Sequence, residues 1–409
     1  MIAPAPVLKF TPYQKIVIAL IAVLQFTVVL DFMVMSPLSD FLIKALSITP
    51  AQFGLVVSSY AFSAGISGIL AAGFADKYDR KKMLLFFYTG FVLGTFFCGV
   101  ANTYPLLLFA RIVTGIFGGV IGAIGMAIIT DLFEINQRGR VMGFTQMAFA
   151  ASQILGIPIS LLIANKWGWN MPFLVIVVFS IVLGVLVMLL MKPVDKHLAL
   201  HSETRALAHL WNTIRTKRYQ TGFITTALLS IGGFMLMPFG SVFAVNNLGV
   251  DPNDLFIIFF ATGVSSIVIM PLIGRLSDRY DKLKIFTFGS LWAIFMVLVY
   301  TNLGQLPLWQ VITCNILLFV GIMSRIVPST VMVSSIPEMK DRGAFMSVMG
   351  SLQQLAGGVA SVVAGLIVHQ ETTSSPLENF DVLGIVVAVC IIATIYGLYR
   401  VDRLIKQKS

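Results

Sequence analysis

The sequence predicts an all-α membrane protein of twelve spans, arranged as two pseudo-symmetric six-helix bundles. Three observations carry that expectation: the composition, the spacing of the long apolar runs, and a repeat that lays the second half of the chain on the first. Of 409 residues, 57% belong to the AVILMFWYC set and only 11% are charged, against roughly a quarter in ordinary soluble domains. Mean hydropathy is +0.92. So few charges cannot cover a water-exposed surface at this length, which excludes soluble enzymes, disordered chains and secreted disulfide scaffolds. Cys98, Cys314 and Cys390 all fall in apolar runs and supply neither a disulfide framework nor a metal set. The first apolar run is too long for the apolar region of a cleavable leader.

An apolar helix of about 20 residues crosses the hydrocarbon, and lipid permits no irregular exposed backbone there. That ruler places spans at 14–36, 50–74, 83–101, 104–130, 139–164 and 170–191, then at 219–246, 253–275, 284–303, 307–331, 342–369 and 379–399. The only long polar stretch, Lys192 to Arg218, separates six spans from six. The expected units are therefore 1–191, a linker 192–218 with an amphipathic surface helix, and 219–409.

The charges fix an orientation. With both termini cytoplasmic, the cytoplasmic segments hold 24 of the 28 Lys and Arg residues, and the opposite side only Lys44 and Lys166. Arg111 and Arg325 lie inside spans, as does a single acid, Asp31. Net charge is then +13 inside, −4 outside and +1 within the membrane. A bias this strong over short loops is the positive-inside pattern. The +10 excess thus reflects topology and does not call for a nucleic-acid partner.

The halves repeat. An offset of 202 puts Asp76-Lys77-Tyr78-Asp79-Arg80 on Asp278-Arg279-Tyr280-Asp281-Lys282, Phe32-Met33 on Phe234-Met235, and Pro50 on Pro252. An offset of 204 brings Glu134, Arg138-Gly139 and Met142 onto Glu338, Arg342-Gly343 and Met346. Parallel six-helix repeats are the architecture expected of a secondary transporter with its substrate site between the bundles.

These residues resemble the major facilitator superfamily over essentially the whole chain, and within it the bacterial twelve-helix proton-coupled drug and sugar efflux branch. Gly73 to Lys81 is similar to the superfamily's motif A, and Gly274 to Lys282 to its second-half copy, although Ala72 replaces a leading glycine and Asp79 and Asp281 replace a later one. Arg111-Ile112-Val113-Thr114-Gly115 resembles motif B of proton-coupled efflux members. Gly156-Ile157-Pro158 resembles the antiporter motif C without its second glycine pair. Leu30-Asp31-Phe32 is similar to the acidic first helix of drug and sugar efflux carriers.

A charge at the bilayer centre costs about 2.5–3.5 kcal/mol. Asp31 lies six residues before Pro37 and Arg111 seven after Tyr104, which sets both roughly 10 Å below the outer end. In the resembled fold their helices line the central cavity, so the two are expected to pair there. Two readings stay open. Asp31 carries protons, its charge state set by drying on one hand and Arg111 on the other, or the pair is a fixed strut. The 202 offset puts Gly233 where the first half has Asp31, which favours function, because a strut needed by the fold would recur. Arg325 lies one turn deeper than the equivalent of Arg111. It either binds an anionic or polar part of the substrate or reaches toward the interface and helix-end carbonyls.

Motif A reads as a conformational latch. Asp76, Lys77, Arg80, Asp278, Arg279 and Lys282 sit at cytoplasmic helix ends, where a carboxylate can meet a helix N-terminus and bases. The resemblance implies that Asp76 meets the start of span 11 at Arg342, and Asp278 the start of span 5 at Arg138. Gln146, Gln153, Phe234 and Met237 are further candidates for the cavity wall, beside interhelical bonding and lipid contact. Gly115/Gly119 and Gly118/Gly122 read as packing devices. His197, His201 and His209 have helical spacing but no acidic or thiol partner that completes a metal set.

The expectation is a secondary active transporter and not an enzyme: a proton-coupled antiporter exporting drug-like molecules, sugars or metabolites from the inner membrane. It needs no cofactor beyond the proton gradient and acts as a monomer among lipids. Uptake by symport or uniport is the alternative, and a lipid flippase the alternative of another class.

Overall fold

The computed structural model describes residues 10–71, 77–195, 198, 206–338 and 341–407. Among them the chain is helical throughout, apart from an isolated bridge between His369 and Glu378. The N-half contains α1 (Pro12–Val34), the short α2 (Ser39–Leu46), α3 (Pro50–Ala71), α4 (Arg80–Gly99) and α5 (Tyr104–Leu132). Its fifth span joins α6 (Ile135–Ala151), a π-turn (Ser152–Gly156) and α7 (Ile157–Trp167), and α8 (Met171–Leu190) completes it. After the linker helix α9 (Ala206–Arg215), the C-half runs α10 (Lys217–Phe234), α11 (Gly240–Asn246), α12 (Leu255–Arg279), α13 (Lys282–Thr301), α14 (Leu308–Ser334), α15 (Arg342–Ile367) and α16 (Phe380–Lys406). Twelve of the resulting segments are long and apolar enough to cross a membrane.

Two spans expected to be continuous are interrupted beside a proline, which has no N–H for the carbonyl four residues back, and the first span ends just before one. Pro37 follows the end of α1, and the chain restarts as α2, where Lys44 and Asp40 pair at 2.8 Å. Pro238 lies in a 3₁₀ turn between α10 and α11. Pro158 follows the π-turn, in which the Ile157 amide donates to the Ser152 carbonyl.

The two Asp residues that depart from the motif A pattern have a local job. Asp79 accepts from the Lys81 and Lys82 amides at 2.7 and 3.2 Å, and Asp281 from the Lys284 amide at 3.0 Å. They are the N-caps of α4 and α13, which accounts for the repeated spacing without a latch.

The cores show how the halves meet. One cluster joins Val34, Leu38 and Phe53 of the N-half to Met235, Phe239 and Phe243 of the C-half. It lies at the end of the spans away from the chain termini. There Ser36 donates to the Met237 carbonyl, Asn246 to Asp40 at 3.2 Å, and Asn165 to the Pro252 carbonyl at 3.2 Å. At the other end, rich in Lys and Arg, the core divides. One cluster there is wholly N-half, around Ile21, Phe87 and Ile128, and another wholly C-half, around Phe223, Phe286 and Phe345. The halves are therefore joined at the far end and along α3 and α15, where a Cβ on Gly65 would meet Leu355 at 2.8 Å, and have separate cores at the basic end.

Candidate functional site: a buried ion pair and a lone arginine

Inside the N-half, Arg111 of α5 donates to Asp31 of α1 at 2.8 Å, and the Thr95 hydroxyl of α4 donates to the second carboxylate oxygen at 3.1 Å. Both ionic side chains are 0% exposed. The Arg111 guanidinium also lies 4.5 Å from the ring centroid of Tyr60 on α3. Its Nε and second terminal nitrogen have no partner, so the carboxylate carries the compensation for that charge. The pair was expected to line the central cavity; instead α1, α3, α4 and α5 enclose it. Local sequence explains the enclosure. A Cβ on Gly115 would stand 2.5 Å from the Tyr60 carbonyl, and one on Gly119 2.5 Å from that of Ala64, so only glycine lets α3 press Tyr60 over the arginine. On the other side, a Cβ on Gly156 would come 2.5 Å from Leu30, which fixes α1 beside Asp31. Pro158 is buried as well.

The pair is one residue from the seam between the halves. Phe32 lies 5.2 Å from the Tyr60 ring and 6.1 Å from the ring of Phe234 on α10. Phe234 and Met237 thus stand at the inter-half contact and not on an open wall. The Gln153 carbonyl packs where a Gly263 side chain would be, 3.1 Å from that Cβ position, again between halves. Toward the basic end, a cavity of about 210 Å³ lies within the N-half, lined in part by Gln25, Leu84, Gly122 and Thr145.

Among the described residues Arg325 of α14 meets no carboxylate. Its Nε donates to the Ser290 hydroxyl of α13 at 3.2 Å, and its guanidinium sits 5.8 Å from the Phe286 centroid. One terminal nitrogen is buried without a partner, on a residue only 3% exposed. Of the two sequence readings, the one that sends it to the interface is not what the structure shows: the side chain turns into the C-half.

At the basic end the expected Asp278–Arg138 latch pair is not made among the described residues, and the expected Asp76–Arg342 pair falls outside them. Asp278, Arg279, Lys282 and Arg342 form no ion pair with another described residue, and Lys77 is exposed. Arg138 turns back to cap α5, donating to the Phe133 and Thr130 carbonyls at 3.0 and 2.7 Å. Arg80 pairs with Asp131 at 3.2 Å inside the N-half. The separate cores bear on Asp278 and Arg138, although α3 and α15 do touch across the halves, Ser351 lying 3.1 Å from a Cβ position on Gly68. Asp76, His197, His201 and the Gln146 side chain lie outside the described residues. His209 stands 3.5 Å from Asp341. Thr95, Tyr60 and Ser290 were missed from sequence; their only signal was polarity within apolar runs.

A sequence profile of the Major Facilitator Superfamily matches residues 21–361 and again 223–408. The chain belongs to that superfamily. It is a multi-pass membrane transporter and not an enzyme. It is 32% identical over 118 residues to multidrug resistance protein fnx1 of Schizosaccharomyces pombe, covering 29% of this chain and 22% of fnx1. In that match the chain spans about a fifth of its relative's length. Against multidrug resistance protein 2 of Bacillus subtilis it is 21% identical over 312 residues, 75% of this chain and 78% of that one. The fold resembles a solved bacterial homolog of the human lysosomal transporter Spinster, with a TM-score of 0.79, 15% identity and coverage of 98% and 99%.

Proposed function

We propose that this transporter is a proton-coupled antiporter that exports small molecules across the inner membrane by alternating access, its basic end facing the cytoplasm. The observation that carries the reading is Asp31, a fully buried carboxylate deep within the first span, held by Arg111 and Thr95. Intramembrane acids of this kind mark proton relays.

The geometry supplies a route from charge to motion. Protonating Asp31 removes the counter-charge of Arg111 and leaves that guanidinium against the Tyr60 ring. Tyr60 touches Phe32, and Phe32 touches Phe234 in the other half. A change at the pair therefore acts on a contact that must rearrange when the halves rock. With the far end closed and the cores divided at the basic end, the observed state suits loading from the cytoplasm. The relatives that bear multidrug resistance names support the outward direction.

Proteoliposomes with an imposed pH gradient test this directly, using wild type and Asp31→Asn. Wild-type flux should follow the gradient, whereas the variant should lose gradient-driven export and keep exchange of cargo for cargo. Wild-type flux indifferent to the gradient would sink proton coupling.

A further inference from the structure

The two halves hold unequal versions of one arrangement. In the N-half an acid on the first helix meets an arginine on the fourth. In the C-half the arginine exists, as Arg325, but the position that repeats Asp31 is Gly233. That glycine is exposed, and a Cβ built on it would have nothing within 4 Å. The place of the missing acid is open space.

A Cβ on Gly222 of α10 would meet Ile336 just past α14 at 2.8 Å, Phe345 of α15 at 3.2 Å and Val333 of α14 at 3.4 Å, so this face of α10 looks on the cleft between α14 and α15. Gly233 is eleven residues on, closing three turns to within about 20° and rising about 16 Å. The two helices run antiparallel, so the same climb along α14 leads from Val333 to Ile322. Arg325 is three residues from Ile322, about 4.5 Å along the axis, within reach of an arginine side chain. The next residue back on α10, Gly232, faces Cys390 of α16, whose Cβ lies 3.6 Å from its Cβ position. Gly233 thus opens beside α16, and Arg325, buried on α14 with one unpartnered nitrogen, lies a side chain's length from that level by the helix rise.

An uncompensated buried charge is costly unless something pairs with it. Among the described residues no carboxylate pairs with Arg325. We infer that the cargo supplies it: the C-half is a receptor for a small organic carboxylate, bound by Arg325 with Ser290 holding the guanidinium, in the space that Gly233 leaves free. Bidentate recognition of a carboxylate is the task to which a planar guanidinium is fitted. This inference rests on the transporter reading and adds the chemical class of the cargo.

Two arms test it. The first needs no ligand: Gly233→Asp supplies the missing acid within the chain. It should raise the unfolding temperature in detergent relative to Gly233→Asn, and the gain should vanish when Arg325→Gln is added. An equal effect of Gly233→Asp with and without Arg325→Gln would overturn the geometry. The second compares benzoate with benzamide, nicotinate with nicotinamide, and hexanoate with hexanamide as stabilisers of the wild type. At least one carboxylate should act at a concentration tenfold or more below its amide, and both Gly233→Asp and Arg325→Gln should abolish the difference, with Arg325→Lys retaining part of it. If no acid outperforms its amide, Arg325 is a structural charge and the inference fails. Flux of a neutral solute without carboxylate discrimination would overturn this inference alone. Discrimination without flux of any solute in liposomes would instead count against the transporter reading.

Discussion

Truncating either member of the buried pair should cost far more than truncating both. Asp31→Ala leaves Arg111 with no carboxylate, with two of its nitrogens already unpartnered, and with only the Tyr60 ring at 4.5 Å to offset its charge. Breaking a buried pair from one side typically costs about 3–5 kcal/mol. Thr95 also loses its acceptor, a further ~1 kcal/mol. Arg111→Ala strands the Asp31 charge in the same way, although Thr95 still donates to it, so its cost should be slightly smaller. The double variant removes both charges and leaves a cavity, a loss that small-residue collapse can partly relieve. Reversible unfolding in mixed micelles, run on the four members of the cycle, should give singles near 4 kcal/mol each and a double well below their sum, with a coupling of about 3 kcal/mol. Additive losses would refute the reasoning, because they would mean that neither charge depends on the other. So would single losses under about 1 kcal/mol, the range of solvated pairs.

Other expectations follow from the same coordinates. Gly119→Ala should lose about 1–3 kcal/mol, since its Cβ would sit 2.5 Å from the Ala64 carbonyl; Gly143→Ala, whose Cβ meets nothing within 4 Å, should be neutral or gain up to about 1 kcal/mol. Micelle unfolding of the two variants checks both signs. Asp79→Ala and Asp281→Ala should each cost about 1 kcal/mol through lost N-caps, with flux in liposomes largely kept; loss of flux at unchanged stability would restore a latch role to these two residues. Cys98, fully buried between α4 and α5, should resist N-ethylmaleimide in the folded protein and react after denaturation, as mass spectrometry would show. Asn246→Leu should loosen the far end by removing its bond to Asp40, seen as faster labelling of a cysteine introduced at Val242.

Much of this was legible in the chain because the membrane enforces it. A run such as Met171–Leu190 can only be a helix in lipid, and the 202 offset pairs the halves from sequence alone. The breaks were harder. Pro238 and Pro158 were visible, but apolarity continues through each, so a hydropathy ruler reads across them. Depth was legible and direction was not: the rise per residue put Asp31 level with Arg111, yet enclosure of the pair depends on where Tyr60 and Thr95 fall after packing. For Arg325 the period gave the face, but Ser290 is a tertiary neighbour with no sequence signal. The Asp278–Arg138 contact is absent among the described residues for a different reason. Asp278 and Arg138 belong to opposite halves, and whether they touch is a property of the conformational state as well as of the residues.

The asymmetry between the halves bears on how a single acid can drive the cycle. Reversing a two-state equilibrium from 1:99 to 99:1 takes about 5.5 kcal/mol of differential free energy. A buried ion pair broken from one side is worth about 3–5 kcal/mol, so protonating Asp31 in one state and not the other supplies most of that swing. One such switch is nearly enough, whereas two identical switches would exceed the need and hold the carrier in one state. On the proposed mechanism the C-half therefore has no use for a second resident acid. Leaving Arg325 without one converts the repeated position from a proton switch into a charge that only cargo can satisfy. Loading that cargo then contributes the remaining few kcal/mol on the C-half side of the Phe32–Phe234 contact. Restoring the acid by Gly233→Asp should accordingly do more than block binding. It should leave the variant in one access state whatever the external pH, a result that accessibility labelling from both sides of the membrane would detect.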